Sequence, residues 1–476
     1  MTAFAQDTID DNPMAPPGDQ IVPVADEAVD DAALALEEQS VPEITDEELL
    51  ILQFERYKEL LENGVMDEAD SVAKRVIELA IRVTGPRSED TAKALTNLGI
   101  VQHHNQQFDL AQQNFQTAVD IIEDNEDRLN DQLINPLKGL GAAQLEGGRP
   151  DLATGTFQRA VHVTHVNEGP HNLDQVTILE SLAEANLRMG SMDTAKQIQD
   201  TIYAITLRYH SGNAVSLVPA LMRRAAWQHR AGFIYDERTT YRRIIRIIEE
   251  GIGKDSLELV DPLTRLGQSF FYVDTSGTQT YQQTTLTTGE IYFKRAVRIS
   301  EEHPDSDWQR VAGTTLALGD YYMYQGSEQR ARKVYRDVWE LLSDGDERLD
   351  FRREALEELA TLRERPIPQY VSGASEDGSP ILDDSIMQGR IAVTYVISSR
   401  GRATNIKIVE ADPPDFTEML RNVQRALRTR IYRPQFDETG PVASPEQVLT
   451  HRFYYRQADL DDIRDTTTTA EENEEG

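Results

Sequence analysis

Three histidines stand close together in the chain, His162, His165 and His171, and metal binding is the chemistry such a group could perform. The first two fall three residues apart in a helical pattern. The third follows Gly169-Pro170 and brings no carboxylate with it, so the group reads as helix-surface histidines rather than ligands. Gly251-Ile252-Gly253-Lys254-Asp255-Ser256 shares its glycines, lysine and serine with phosphate-cradling loops, but it lacks their full spacing and the strand before them. No Gly-x-Ser-x-Gly or His-Glu-x-x-His occurs, and the chain has no cysteine. No catalytic residue, metal or cofactor is expected, and the chain is read as not an enzyme.

The 476 residues allow two to four domains with ample material for a core: 39% are hydrophobic and 27% charged. Acids outnumber bases by 82 to 48, a net charge of -34. Such a field repels phosphate backbones and excludes nucleic acid as an expected partner. No segment approaches the roughly 20 apolar residues of a membrane helix, so no direct membrane span is expected. The absence of cysteine is compatible with an oxidising compartment. Ala3-Phe4-Ala5 before Gln6 has the small-x-small form of a signal-peptidase site, which leads to the expectation of an exported protein whose mature form begins near Gln6. Residues 1–46 form an acidic arm without Lys or Arg, and residues 458–476 an acidic tail; both read as disordered spacers.

Between them the elements that must position any site declare themselves by repetition. Leu95, Leu137, Leu179, Leu221 and Leu263 recur every 42 residues, each opening a helical apolar pattern. Gly99, Gly141, Ala183, Ala225 and Gly267 form one small-residue column, and Ala69, Ala111, Ala153 and Ala195 another. A bulky column follows in Phe115, Phe157, Tyr241, Phe293 and Tyr335, with Gln199 and Ala73 as exceptions. Small side chains let two antiparallel helices approach to about 8–10 Å, and the aromatic fills the space toward the next pair. Asp67, Asp109, Asp151 and Asp193 stand two residues before the second column, where a carboxylate is expected to cap a helix and complement its dipole. The register predicts seven helix pairs, from Glu47–Thr84 to Ala312–Ser343. A Thr/Gln-rich insertion at 275–288 falls within the sixth, and a capping helix over Arg353–Arg363 follows the last.

The twelve- and seven-residue steps from Gly99 to Ala111 to Ala118 resemble the tetratricopeptide repeat in the 42-residue form of kinesin light chains. The resemblance implies a right-handed α-solenoid over residues 47–365 whose first helices line a concave groove for a peptide or protein ligand. By that resemblance the groove is faced by His103 and His104, Leu145 and Glu146, Leu187 and Arg188, His229 and Arg230, Phe271 and Tyr272, and Met323 and Tyr324. The two arginines would hold carboxylates and the aromatics apolar side chains. The other reading is that several of these residues only pack between helices.

A linker-like run at 366–388 precedes a change of period. Ile391, Val393, Tyr395 and Ile397 alternate with polar or small residues, and Ser399-Arg400-Gly401-Arg402 supplies a hairpin turn. A helical pattern runs from Phe416, and a last strand is expected over Val448–Tyr455, giving a small α+β unit of ββαβ order at 389–457. Pro368-Gln369-Tyr370, Gly389, Gly401, Pro413-Pro414-Asp415-Phe416, Arg430-Ile431-Tyr432-Arg433-Pro434 and Gly440-Pro441-Val442 together resemble the C-terminal domain of TonB. That family docks an outer-membrane receptor in the periplasm by pairing its last strand with a receptor segment. Carried onto this chain, the resemblance implies docking through Tyr432, Pro434, Val448, Thr450, Arg452 and Tyr454. The expected function is a periplasmic adaptor between an outer-membrane transporter or receptor and a ligand in the repeats; the alternative is an assembly or chaperone-like scaffold. The family's membrane anchor and Pro-rich spacer have no counterpart in these residues, so the resemblance implies docking and leaves open whether the chain transmits energy or only docks.

Overall fold

Each 42-residue period folds as two antiparallel helices because its apolar residues recur at helical spacing and its break residues recur with it. The computed structural model describes residues 44–210, 212–271, 289–369, 386–458 and 460–461. The acidic arm, the 275–288 insertion with Tyr272, the linker from Tyr370 to residue 385 and most of the acidic tail lie outside the described residues. The pairs are α1 (Asp46–Glu62) with α2 (Met66–Thr84), α3 (Glu89–His104) with α4 (Phe108–Asn125), and α5 (Ile134–Glu146) with α6 (Pro150–Glu168). They continue as α7 (Asp174–Arg188) with α8 (Met192–Tyr209), α9 (Val218–Arg230) with α10 (Ile234–Gly251), α11 (Val260–Ser269) with α12 (Glu290–Glu302), and α13 (Trp308–Tyr324) with α14 (Glu328–Leu342). The Gly251–Ser256 run is the turn between the fifth and sixth pairs.

The small and bulky columns meet as matched partners. A Cβ on Gly141 would stand 2.6 Å from the Phe157 ring, on Gly267 2.6 Å from Phe293, and on Gly319 2.5 Å from Tyr335. Phe115 touches both Gly99 of its own pair and Gly139 of the next, so one ring locks two successive pairs. Phe115, Phe157, Phe293 and Tyr335 are all fully buried, and each contributes about 2 to 3 kcal/mol of apolar burial.

The turn inside each pair holds a further periodic feature. Gly64, Gly148, Gly190, Gly232 and Gly326 adopt φ between 73° and 77°, the left-handed conformation that closes a helix. Gln106 takes the corresponding place in the second pair at φ 61°. Asp67, Asp109, Asp151 and Asp193 do not cap as expected. The N-caps of α2, α4, α6 and α8 are Val65, Gln107, Arg149 and Ser191, with no side-chain cap bond. Each aspartate lies inside the first turn, where it complements the helix dipole alone.

The expected capping helix over Arg353–Arg363 is also different. A short helix, α15 (Leu349–Arg352), runs into a wider turn at Arg353–Glu357, and the chain then extends as β1 (Ala360–Arg363). Leu356 anchors that turn with no exposure, and Glu358 is already extended at φ -90°, ψ 160°, which ends the helix. The C-terminal unit contains β2 (Ile386–Ile397), β3 (Ala403–Asp412), α16 (Thr417–Thr429), β4 (Ile431–Arg433), β5 (Gln435–Asp437), β6 (Gly440–Val442) and β7 (Gln447–Arg456). Its main sheet is antiparallel in the order β3-β2-β7, with α16 contributing Phe416's neighbours Met419, Val423 and Leu427 to the core beneath it. The expected ββαβ order is thus supplemented by three short strands. One of them, β4, pairs with β1. Gly401 closes the β2–β3 turn at φ 68°, and a Cβ there would run into the Tyr432 carbonyl, so the position needs glycine twice over.

The sheet unit is not tethered loosely behind the repeats. Ile431 and Phe436 enter one hydrophobic cluster with Tyr335, Val338 and Leu342 of α14 and with Leu356. Gln435 donates to the Glu357 carbonyl at 2.6 Å. The last repeat shares a core with the short strands β4 and β5, while the main sheet keeps its own.

Candidate functional site

The C-terminal ends of the first helices place the expected groove residues in a row, and the row is largely satisfied by its own charges. Arg188 donates to Glu146 at 2.8 Å and to the Leu145 carbonyl at 3.2 Å, and Arg230 donates to Glu184 at 3.1 Å. Arg188 also reaches Glu184 at 3.4 Å, so Glu146, Arg188, Glu184 and Arg230 form an alternating ladder across three pairs. The arginines read as free for ligand carboxylates are therefore committed to carboxylates of neighbouring repeats. Glu184 could not be anticipated from the column that named the others. His104 is exposed, while His103 is half-buried with its ring edge-on to Phe108 at 5.5 Å, and burial lowers its pKa.

At the C-terminal end of this row the repeats form a cleft of about 480 Å³ that brings together His229, Arg230, Phe271 and Tyr324 of the expected set. The Phe271 and Tyr324 rings stack at 4.4 Å, and the Tyr324 hydroxyl donates to the Phe271 carbonyl at 2.5 Å. Glu237 closes the floor. It is 3% exposed, 3.2 Å from His229 Nδ1, and burial raises its pKa against the opposing pull of the imidazole. Tyr241 beside it is pushed up to about 12 by burial. The far wall is Thr361 and Leu362 of β1, with the Arg363 guanidinium 5.3 Å from the Tyr324 ring centre. The cleft thus belongs to both units, which no local pattern in the sequence announces. Met323 does not face it: the side chain is 2% exposed, in the seam against Gly401. Its neighbour in the sequence set, Leu145, is buried as well.

Asp320, also in the cleft wall, carries the join. Arg433 donates to its two carboxylate oxygens at 2.9 and 2.7 Å and to the Ala355 carbonyl at 2.7 Å, and the Tyr335 hydroxyl donates to Asp320 at 2.8 Å. Burial opposes the guanidinium's charge, and the adjoining carboxylate outweighs it, so the Arg433 pKa is raised.

The expected docking residues divide. Tyr432 is 1% exposed, packed in the sheet unit's own core with Tyr395 and Val393, and Pro434 is also buried, so neither side chain is presented to a receptor. Val448, Thr450 and Arg452 are exposed along β7, which is an edge of the sheet. Near its end, the edge is already engaged. The Tyr454 N–H donates to the Gln369 carbonyl at 2.6 Å, and His451 Nε2 lies 2.9 Å from the Pro368 carbonyl. Because an antiparallel strand alternates its backbone groups, the outward Tyr454 N–H puts those of Val448, Thr450 and Arg452 on the same outer side. Among the described residues, the Pro368–Gln369 segment meets this edge at His451 and Tyr454 and does not take up the outward N–H groups of Val448, Thr450 and Arg452.

Residues 60–124, from the end of α1 through α4, match the family described as tetratricopeptide repeat. No curated protein matches the chain. Among solved structures it is similar to the C-terminal part of a tetratricopeptide repeat-containing protein from Cytophaga hutchinsonii, at 10% identity over 62% of this chain and 98% of that one, TM-score 0.39. It is similar also to aspartyl phosphate phosphatase F from Bacillus subtilis, at 12% over 62% and 70%, TM-score 0.39. A third is a tetratricopeptide repeat protein from Parabacteroides merdae, at 13% over 63% and 96%, TM-score 0.36. At these scores the likenesses add nothing to what the helix pairs show by themselves. Stacked helix pairs of this type are interaction scaffolds, presenting a long continuous surface that no single pair could hold.

Proposed function

We propose that the chain is a non-enzymatic adaptor of the cell envelope, working in the periplasm. Its repeats hold an extended peptide of one partner, whose apolar end enters the cleft over Phe271 and Tyr324. Its C-terminal sheet docks an outer-membrane transporter or receptor in the manner of the TonB family, by accepting a strand along the Val448–Arg452 half of β7. The observation that carries this reading is the shared wall of the cleft: occupancy of the repeats is in direct contact with β1, and β1 is hydrogen-bonded into the sheet unit through β4. The repeats and the sheet unit, packed on each other in this way, then present two binding surfaces. A peptide lying in the cleft would meet polar groups already paired with one another, which suits recognition rather than proton transfer. A second reading, an assembly or chaperone-like scaffold without a docked receptor, draws on the Pro368 and Gln369 contacts that already engage the edge at His451 and Tyr454.

Affinity capture from an envelope fraction, with the full-length protein as bait, tests the proposal. Phe271→Ala with Tyr324→Ala should lose one set of partners and keep an outer-membrane protein, and fractionation should place the native protein in the periplasm. Retention of all partners by the cleft variant, or a native protein found only in the cytoplasm, would remove the reading.

A further inference from the structure

Outside the groove, the second helices of the fourth and fifth pairs hold a basic cluster that the function above does not use. Arg242, Arg243 and Arg246 lie on the exposed face of α10 and line a cleft of about 600 Å³ with His210, Leu207 and Ile247. None of the three arginines makes an ion pair or hydrogen bond to a described residue. On other second helices Arg159 is paired with Glu123, Arg295 with Glu249, and Arg330 with Glu290, whereas Arg208, Arg332 and Arg336 stand singly or in a looser group without an ion pair among the described residues. Asp200 on α8 is held by Arg224 at 2.6 Å and Glu249 on α10 by Arg295, and the exposed Glu250, four residues after Arg246, makes no ion pair among the described residues. Like charges three and four residues apart are unfavourable on a helix. In a chain with 82 acids and 48 bases, leaving three adjacent arginines unmatched is an arrangement that internal contacts do not account for.

The cluster is also shaped. Arg243 lies 5.2 Å from the centre of the Tyr203 ring, whose π-system also receives Arg224 at 5.0 Å, so the guanidinium is held rather than free to wander. Leu207 is 39% exposed and Ile247 half-buried, which gives the cleft an apolar strip beside its charges. We infer that this cleft is a second binding site, for an acidic peptide segment of a partner protein, with carboxylates on the arginine forks and one apolar side chain between Leu207 and Ile247. Charge complementarity names the acid, and the apolar strip favours a peptide over a free phosphate, which needs no such surface. A long nucleic acid would meet the field of the whole protein, whereas a short peptide feels mainly the charges within a Debye length of about 8 Å.

The test uses the full chain and a fluorescein-labelled Glu-Glu-Leu-Glu-Glu peptide, read by fluorescence anisotropy. Saturable binding should weaken roughly tenfold between about 50 and about 300 mM salt, and roughly tenfold again in Arg242→Ser with Arg246→Ser. Replacing the peptide leucine by serine should also weaken it, and Phe271→Ala should leave it unchanged. Absence of saturable binding, or equal binding by an arginine variant with an unchanged helical melt, would overturn the site; the salt response of the unaltered protein decides the matter should that variant misfold. Displacement by inorganic phosphate at the peptide's own concentration would overturn the peptide class. A tenfold gain on deleting residues 1–43 and 462–476 would overturn the partner, since the chain's own acidic ends would then be the occupant.

Discussion

Arg433 reaches across the seam between the last repeat and the sheet unit to both carboxylate oxygens of Asp320, at 2.9 and 2.7 Å. Each side chain keeps less than a fifth of its exposure, so removing one partner strands a charge in poor solvent. Asp320→Ala should destabilise the protein by about 3 kcal/mol or more, seen as a lower midpoint in urea unfolding. It should also let the sheet unit unfold ahead of the repeats. A midpoint equal to that of the unaltered protein would show that the seam rests on the Ile431 and Phe436 packing alone.

Gln106 holds at φ 61° the place that glycine takes at positions 64, 148, 190, 232 and 326. A side chain in that conformation costs about 1 kcal/mol or slightly more relative to glycine. Gln106→Gly should therefore raise stability by about 1 kcal/mol, a gain that thermal unfolding can register and that ordinary surface substitutions do not give.

The helix crossings should tolerate no added volume. Ala111→Leu, at a fully buried position, and Gly319→Ala, against the Tyr335 ring, should each cost about 1 to 3 kcal/mol. Arg188→Ala and Arg230→Ala should each cost less than about 1 kcal/mol, since both side chains remain well exposed in the ladder. Comparison of the four melts separates the packing of the stack from the charges on its surface.

Glu290 gives the stack an acid-sensitive point. Hydrogen bonding from Arg330, helped by Lys294 and Tyr322, lowers its pKa to about 2 against the burial that opposes it. A carboxyl depressed in the folded state stabilises the fold above its unfolded pKa of about 4.3, and that contribution fades as pH falls toward 2. The stability difference between the protein and Glu290→Gln should be constant from neutral pH to about 5 and shrink between about 4 and 2. A difference that does not change over that window would contradict the assignment.

Much of the repeat architecture was legible because its determinants are local and periodic: the 42-residue leucines, the small columns and the aromatics meet in the structure as partners such as Gly141 with Phe157. The left-handed glycines at the same period were equally available in the sequence as a turn signal. What could not be read depends on distant pairing. Ala360, Thr361 and Arg363 follow a helical stretch and become a strand because β4, some seventy residues on, supplies their pairing partners, with Leu362 bulged between them. Tyr432 and Pro434 sit in a motif that marks the family resemblance, and their burial, Tyr432's in the core beneath the main sheet, keeps both side chains from a receptor. The Arg188, Arg230 and Glu146 positions were legible, but Glu184 and the pairing itself were not, because an ion pair between repeats depends on the offset of one pair from the next.

The strand edge is where the account of function is most exposed. The outward N–H of Thr450 is not taken up by Pro368 or Gln369, which meet β7 at the His451 side chain and the Tyr454 N–H, and proline at 450 removes that donor without taking one from the β2 ladder. Capture of outer-membrane proteins from an envelope fraction, with Thr450→Pro as bait beside the unaltered protein, measures the claim directly. The account predicts that the variant melts with the same helical transition, keeps the partners that depend on Phe271 and Tyr324, and loses the outer-membrane partner. A folded Thr450→Pro protein that captures that partner undiminished would contradict docking by strand addition at β7.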